Sequence, residues 1–102
     1  DSWITWKRTQ CRGSEEDSDV FCRRGNYLHV TKATYGRLKS WSCSKYLKLK
    51  QEIDVTKAVQ QVCHGTKKCY LYKNAKKIFK YAKSAYVGNE KHLFFNVEFK
   101  CK

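Results

Sequence analysis

Six cysteines and three histidines are the residues of this chain that could bind a metal or cross-link the fold. A structural zinc site would need pairs of ligands separated by about two to four residues. The two nearest cysteines, Cys63 and Cys69, have five residues between them, and His64 has no partner at ligand spacing. An even number of cysteines without that spacing indicates three disulfides, which form in oxidising compartments. We therefore predict a secreted protein that holds no metal and no other cofactor.

No group of polar residues has the spacing of a catalytic site. The histidines, at 29, 64 and 92, fall in no recognisable motif. Ser14 lies in Gly13-Ser14-Glu15, which lacks the second glycine of a nucleophile elbow. The four acids that we call the acidic run also miss the spacing of a calcium loop; they are Glu15, Glu16, Asp17 and Asp19. We predict that the chain is not an enzyme and that the acidic run is a solvated loop that offsets the charges of Arg12, Arg23 and Arg24.

The charge of the chain is strongly positive and unevenly distributed. Lys and Arg number 22 against 9 Asp and Glu, which gives a formal net charge of +13. Residues 55–89 contain eight lysines and no acid. An imbalance of this size in one sign indicates an anionic partner or an anionic surface.

Residues 74–86 combine this charge with the periodicity of a helix. Apolar residues recur there at i, i+3 and i+4, with lysines between them, which predicts an amphipathic helix. The apolar set is Ala75, Ile78, Phe79, Ala82, Ala85 and Tyr86, and the lysines are Lys73, Lys76, Lys77, Lys80 and Lys83. The stripe could pack on the core or insert into a membrane. We expect Ile78 and Phe79 to be buried, and the lysines are exposed under either interpretation.

The remaining elements are predicted from alternation and turn residues. Strands are expected at 2–9, 20–22, 27–30 and 91–100, with a turn at Gly36 and a polar loop at 40–44. The last of these strands is a closing strand with Phe95, Val97 and Phe99 on one side. A short helix is expected over 55–63, capped by Asp54 or Thr56 and stopped by Gly65. The length suits one domain over residues 1–102, because two domains would lack sufficient cores. No segment approaches the ~20 apolar residues of a membrane span.

Four motifs occur in an order that resembles a known family. They are Cys11-Arg12-Gly13-Ser14, Tyr35-Gly36-Arg37, Cys63-His64-Gly65-Thr66-Lys67-Lys68-Cys69 and Val97-Glu98-Phe99-Lys100-Cys101. Over residues 6–101 the chain resembles the galactose- or rhamnose-binding lectin domain first described from sea-urchin eggs. The resemblance implies a single lectin-like domain of α/β (α+β) class, an antiparallel β-sandwich with short helices.

The resemblance also implies a disulfide pairing. Six cysteines alone permit fifteen connectivities, so the sequence by itself leaves the pairing open. The family usually has eight cysteines, and the two missing here are bonded to each other in the family. The implied bridges are Cys11–Cys43, Cys22–Cys101 and Cys63–Cys69.

The family's sugar site is only partly matched. It uses the Glu of C-E-G-S, the Tyr of Y-G-R, the Asp of D-P-C, and a Gly and a Lys near the last strand. Tyr35 matches the tyrosine, and Gly88 and Lys91 match the G-x-x-K pattern, although two extra residues precede the terminal strand. Arg12 stands in the Glu position, and the lysine-rich segment replaces D-P-C. Since carboxylates accept hydrogen bonds from sugar hydroxyls, we predict little or no binding of free galactose or rhamnose.

These observations predict a secreted lectin-like protein retuned to anionic partners. The partner would be an acidic glycan or the acidic surface of a receptor or ion channel, as would suit a venom protein or a host-directed effector. The alternative is a cationic antimicrobial or cytolytic protein acting on anionic membranes, and nucleic acid would bind only nonspecifically. The candidate ligand-binding residues are Tyr35, Arg12, Lys73, Lys76, Lys77, Lys80, Lys83, Gly88 and Lys91, and Lys67 and Lys68 are further candidates.

Overall fold

The computed structural model describes residues 4–10, 20–37, 48–82 and 93–102. The strands in these ranges are β1 (Trp6–Gln10), β2 (Leu28–Arg37), β3 (Lys50–Asp54) and β4 (Leu93–Cys101). The helices are α1 (Thr56–Cys63) and α2 (Ala75–Ala82). All strand pairings are antiparallel, and the strands lie in the order β1-β4-β2-β3. The fold is therefore α+β, as predicted.

The predicted closing strand is β4, which lies inside the sheet between β1 and β2. Side chains of a strand alternate between its two faces. Phe95, Val97 and Phe99 accordingly point to one face and are at most 2 % exposed. This confirms that these three residues share the core face of the last strand.

The second strand is longer than the sequence pattern predicts. A strand over 27–30 and a turn at Gly36 were expected, but β2 continues to Arg37 and Gly36 pairs with Phe94 of β4. The prediction of a turn at Gly36 is therefore wrong. The register between β2 and β3 shifts between Tyr35 and Arg37, and glycine is common at such irregularities in strands.

The ends of the sheet differ from the prediction in smaller ways. β1 begins at Trp6, so Ile4 and Thr5 of the predicted strand precede it, and residues 2–3 lie outside the described residues. The predicted strand over 20–22 is reduced to an isolated bridge between Phe21 and Lys68. β3 was not predicted.

Both helices pack on the core side of the sheet. α1 contacts β2 and α2, and it buries Ala58, Val59 and Cys63. α2 buries Ala75, Ile78 and Phe79. The burial of Ile78 and Phe79 confirms that the apolar stripe of the lysine-rich segment faces the core.

The boundaries of α1 agree closely with the sequence. The Asp54 carboxylate accepts hydrogen bonds from the Thr56 N–H at 2.9 Å and the Thr56 hydroxyl at 2.6 Å. The N-cap residue itself is Val55, which has no side-chain cap. Gly65 follows the helix with a φ of 81°, a conformation that favours glycine. Asp54 thus holds the first turn of α1, and Gly65 allows the chain to leave the helix.

Two of the three implied disulfides are present. Cys22 is bonded to Cys101, which joins positions 79 residues apart, and Cys63 is bonded to Cys69. Cys11 and Cys43 lie outside the described residues. The predicted loop at 40–44 lies outside them as well, as do the last residues of the predicted helix over 74–86. The described ranges contain one sheet, and no helix in them is long and apolar enough to cross a membrane.

Candidate anion-binding surface

The outer side of α2 presents a group of ammonium charges. Lys76, Lys77 and Lys80 are exposed, whereas Ile78 and Phe79 on the opposite side are at most 2 % exposed. Residues three and four positions apart are neighbours on a helix surface, so Lys80 lies beside both Lys76 and Lys77. With Lys73 they form what we call the lysine face (Lys73, Lys76, Lys77 and Lys80). The structure therefore brings four of the predicted binding residues together.

Lys73 stands in the turn that leads into α2. Its Nζ lies 4.9 Å from the centre of the Tyr70 ring, a distance at which a cation is attracted to the π face. The Asn74 side chain donates to the Tyr70 carbonyl at 3.0 Å, and the Asn74 carbonyl accepts from the Ile78 N–H at 2.9 Å. These contacts order the turn and fix the position of Lys73 beside the start of α2.

A buried glutamine on β1 anchors the chain ahead of this turn. The Gln10 amide donates to the Cys69 carbonyl at 3.1 Å and accepts from the Leu71 N–H at 2.5 Å. Gln10 is 5 % exposed, and Leu71 is fully buried. Buried backbone groups need such partners. Gln10 therefore holds residues 69–71 on the sheet. Sequence reasoning missed this role because a lone polar residue at a strand end gives no sign of its burial.

The lysine face lies in a part of the chain without acids. Residues 55–82 contain seven lysines and no Asp or Glu. No acid stands in the first turn of α2, and Lys80 occupies its last turn. These elements therefore supply no carboxylate that would pair with the ammonium groups of the lysine face. Such attraction between exposed charges is screened over a Debye length of about 8 Å at physiological salt.

Tyr35 lies apart from the lysines, inside the core. Its ring is 1 % exposed, and its centre lies 4.7 Å from that of Phe79 and 4.6 Å from that of Phe95. Edge-to-face and tilted packing of this kind stabilises aromatic clusters. In the structure the Tyr35 ring packs against Phe79 on the buried side of α2. Its contact with a ligand stays a prediction. The other predicted site residues, Arg12, Lys83, Gly88 and Lys91, lie outside the described residues.

An open groove, not anticipated from sequence, lies between the middle of β2, the end of β3, the start of α1 and the end of α2. Its volume is about 780 Å³. Lys32, Lys57, Asp54 and Tyr81 are among the residues that line it, and Tyr81 is 53 % exposed. Hydrogen bonds from the side chain and then the backbone of Thr56 hold the pKa of Asp54 below its ordinary value. The groove is thus polar and carries charges of both signs.

Two histidines meet at the other end of α1. The ring centres of His29 and His64 lie 4.7 Å apart, with the rings nearly perpendicular. Burial, followed by the positive neighbours His64 and Lys102, lowers the pKa of His29. Across the ranges that the structure describes, no three His, Cys, Asp or Glu side chains are grouped to hold a metal ion.

Comparison of the chain with protein families, curated proteins and solved structures found no match. The lectin resemblance therefore depends on the four motifs and their cysteine order. The functional assignment depends on the lysine face and on the elements that position it.

Proposed function

We propose that this chain is a secreted, lectin-like binding protein whose lysine face binds an acidic glycan. The single observation behind the proposal is the division of α2 into two sides. Its apolar side chains pack inside the core, while its lysines are exposed. Residues 55–82, which include α2, contain no acid. An excess of one sign on an ordered surface attracts and orients a polyanion. An acidic receptor or ion-channel surface would present similar charges and is the second partner class to test.

The lectin-type scaffold is part of the same proposal. It comprises the β-sandwich and a third bridge, Cys11–Cys43, in addition to the two observed disulfides. Cys22–Cys101 and Cys63–Cys69 have the pairing that the resemblance implies. Disulfides in a domain of this size are compatible with an extracellular location, which supports secretion.

The proposal excludes strong binding of a neutral monosaccharide. Arg12 occupies the position where the family has a sugar-binding Glu, and no D-P-C motif is present. Each hydrogen bond to a charged group contributes roughly 1.5–3 kcal/mol, so the loss of two carboxylates removes most of a weak site. The burial of Tyr35 at 1 % exposure supports the same conclusion. We propose binding rather than catalysis, with no cofactor.

Membrane disruption is the competing function, and the packing of α2 supports the glycan-binding proposal over it. An interfacial helix must offer an apolar side to the lipid. In this helix Ile78 is fully buried and Phe79 is 2 % exposed, so the apolar side already contacts the core.

The proposal is tested by titration of the folded protein with heparin as a sulfated polysaccharide. The variant K76Q/K77Q/K80Q removes three charges from the lysine face, and K7Q/K32Q/K48Q removes three exposed charges elsewhere. At about 0.2–1 kcal/mol per exposed charge pair, the first variant should lose roughly tenfold in affinity. The control should lose much less.

Equal losses in the two variants would show that net charge alone drives binding, and the proposed site would then be wrong. Leakage of dye from anionic vesicles at micromolar protein would support the membrane alternative instead. Galactose titrated under the same conditions should give no measurable heat.

A further inference from the structure

A second basic surface lies beside the two observed disulfides, at the end of the sheet where β2 begins and β4 ends. We call it the stapled end (residues 20–28, 63–69 and 101–102). The Cys22 N–H donates to the Lys67 carbonyl at 2.7 Å, and the Leu28 N–H donates to the Thr66 carbonyl at 2.7 Å. Tyr27 and Lys102 exchange backbone hydrogen bonds of 2.8 and 3.0 Å. These bonds and the two bridges hold three segments of distant sequence beside one another.

The stapled end exposes cations next to aromatic rings. Lys67, Lys68 and Lys102 are exposed, and the Nζ of Lys67 lies 5.7 Å from the centre of the Tyr27 ring. Tyr27 is 46 % exposed, and Phe21, which forms a bridge with Lys68, is 43 % exposed. Residues 20–31, 61–70 and 99–102 contain no Asp or Glu. These segments themselves supply no carboxylate to the surface.

Two arginines also lie in this region, but the proposed contact with the ligand does not include them. Arg23 and Arg24 are exposed in the turn before Tyr27. The acidic run precedes them by a few residues in the sequence and is predicted to offset their charge. We therefore assign the contact to the three lysines and to Tyr27.

His29 adds charge to this surface when the pH falls. The charged and titratable groups that the structure places against His29 are His64 after α1, its register partner Lys100 on β4, and Lys102. Burial, followed by the neighbours His64 and Lys102, lowers the pKa of His29, because a proton added there meets a positive field. A bound anion would offset that field, so binding and proton uptake at His29 must favour each other.

We propose that the stapled end is a second binding surface for the same acidic polysaccharide, and that protonation of His29, whose ring contacts that of His64, strengthens it. This inference rests on the proposed function for the choice of ligand. A linear polyanion can place sulfates or carboxylates against Lys67, Lys68 and Lys102 while a pyranose C–H face packs on Tyr27. Phe21 and Tyr27 are each less than half exposed, whereas insertion into lipid requires a continuous apolar side.

A long ligand gains from reaching both surfaces. Lys68 and Lys73 are five residues apart, and the chain between them contains Cys69 and the turn that leads into α2. When one ligand occupies two linked sites, the second contact is intramolecular, and the affinity exceeds that of either site alone. We therefore expect the stapled end to contribute more to binding of a long polysaccharide than of a short oligosaccharide.

The test compares heparin binding by the full chain, by K67Q/K68Q and by K76Q/K77Q/K80Q. K67Q/K68Q should lose about threefold to tenfold in affinity for long heparin and less for a heparin tetrasaccharide. The backbone bonds of Lys67 do not involve its side chain, and an unchanged thermal unfolding curve would verify that the variant is folded. If K67Q/K68Q binds heparin as tightly as the parent chain while K76Q/K77Q/K80Q binds it more weakly, the proposal of a second surface is wrong and the proposed function stands. If the parent chain does not bind heparin, the proposed function itself is wrong.

The pH dependence provides an independent readout. The affinity of the parent chain for heparin should rise several-fold as the pH falls below about 6.5, and H29Q should flatten that rise. An equal rise in H29Q would overturn the role of His29. Anionic phosphatidylserine vesicles serve as the second probe. If K67Q/K68Q lost affinity for the vesicles but not for heparin, a membrane would be the partner of this surface, and the proposal would be wrong.

Discussion

At the scale of single residues, Gln10 links the sheet to the segment that precedes the lysine face. Its amide satisfies two buried backbone groups, the Cys69 carbonyl and the Leu71 N–H. In Gln10→Leu both groups would lose their partner, and each unsatisfied group costs about 1–3 kcal/mol. We expect urea unfolding to show a loss of about 2–6 kcal/mol. Gln61→Leu is the control, since Gln61 is exposed. Equal stability of the two variants would contradict the anchoring role of Gln10.

His29 predicts how stability depends on pH. Because its pKa in the folded chain lies below the ordinary value of about 6.5, the unfolded chain binds more protons between those two values. Stability is therefore full above about pH 6.5 and falls as the pH drops toward the folded pKa. Chemical unfolding between pH 7.5 and 5 should show this fall, with a smaller slope in H64Q. A stability that rises on acidification over this range would contradict it.

At the scale of elements, α2 joins the core to the candidate site. Phe79 contacts Tyr35 and Phe95 on its core side, while Lys77 and Lys80 lie on its outer side. Phe79→Ala should cost about 3–5 kcal/mol, because truncating a buried aromatic leaves a cavity. Lys77→Gln should change stability by less than about 0.5 kcal/mol. Similar effects of the two substitutions in urea unfolding would show that α2 does not pack as described.

The elements that could be predicted are those whose pattern is periodic over several residues. Ala75, Ile78 and Phe79 have helical spacing, and Phe95, Val97 and Phe99 alternate, so α2 and the core face of β4 were identified correctly. β3 contains a single large apolar residue, Ile53, which is 39 % exposed. Its position depends on pairing with β2 rather than on its own residues, and local sequence could not reveal it. Gly36 has the composition of a turn, but its pairing with Phe94 keeps it in a strand.

The residues of the candidate site also divide into those that a local sequence pattern reveals and those that depend on long-range contacts. The lysine face could be predicted because it follows from the helix that contains it. The burial of Tyr35 could not, because it depends on Phe79 and Phe95, which approach from elements distant in sequence. Gln10 and the stapled end also depend on contacts between distant segments.

For the whole molecule, the two observed disulfides should differ in what they contribute to stability. Cys22–Cys101 closes a separation of 79 residues and Cys63–Cys69 one of 6. If the bridges act by restricting the unfolded chain, their removal should cost about 4 and about 2 kcal/mol, respectively. The double variants C22S/C101S and C63S/C69S measure this difference in urea unfolding. A larger loss for C63S/C69S would show that native contacts at the stapled end outweigh chain entropy.

The positive charge of the whole chain raises the question of whether binding is site-directed or depends on net charge. A formal charge of +13 ensures some attraction to any polyanion. A localised lysine face adds a contact whose strength depends on how many charges meet the ligand. Salt distinguishes these cases, because each neutralised charge increases the dependence of affinity on ionic strength.

The most direct measurement is the slope of the logarithm of heparin affinity against the logarithm of salt concentration. It should be taken for the parent chain, for K76Q/K77Q/K80Q and for K7Q/K32Q/K48Q. We predict a clearly shallower slope for K76Q/K77Q/K80Q and a nearly unchanged slope for K7Q/K32Q/K48Q. Identical slopes in the two variants would contradict the assignment of α2 as the binding surface.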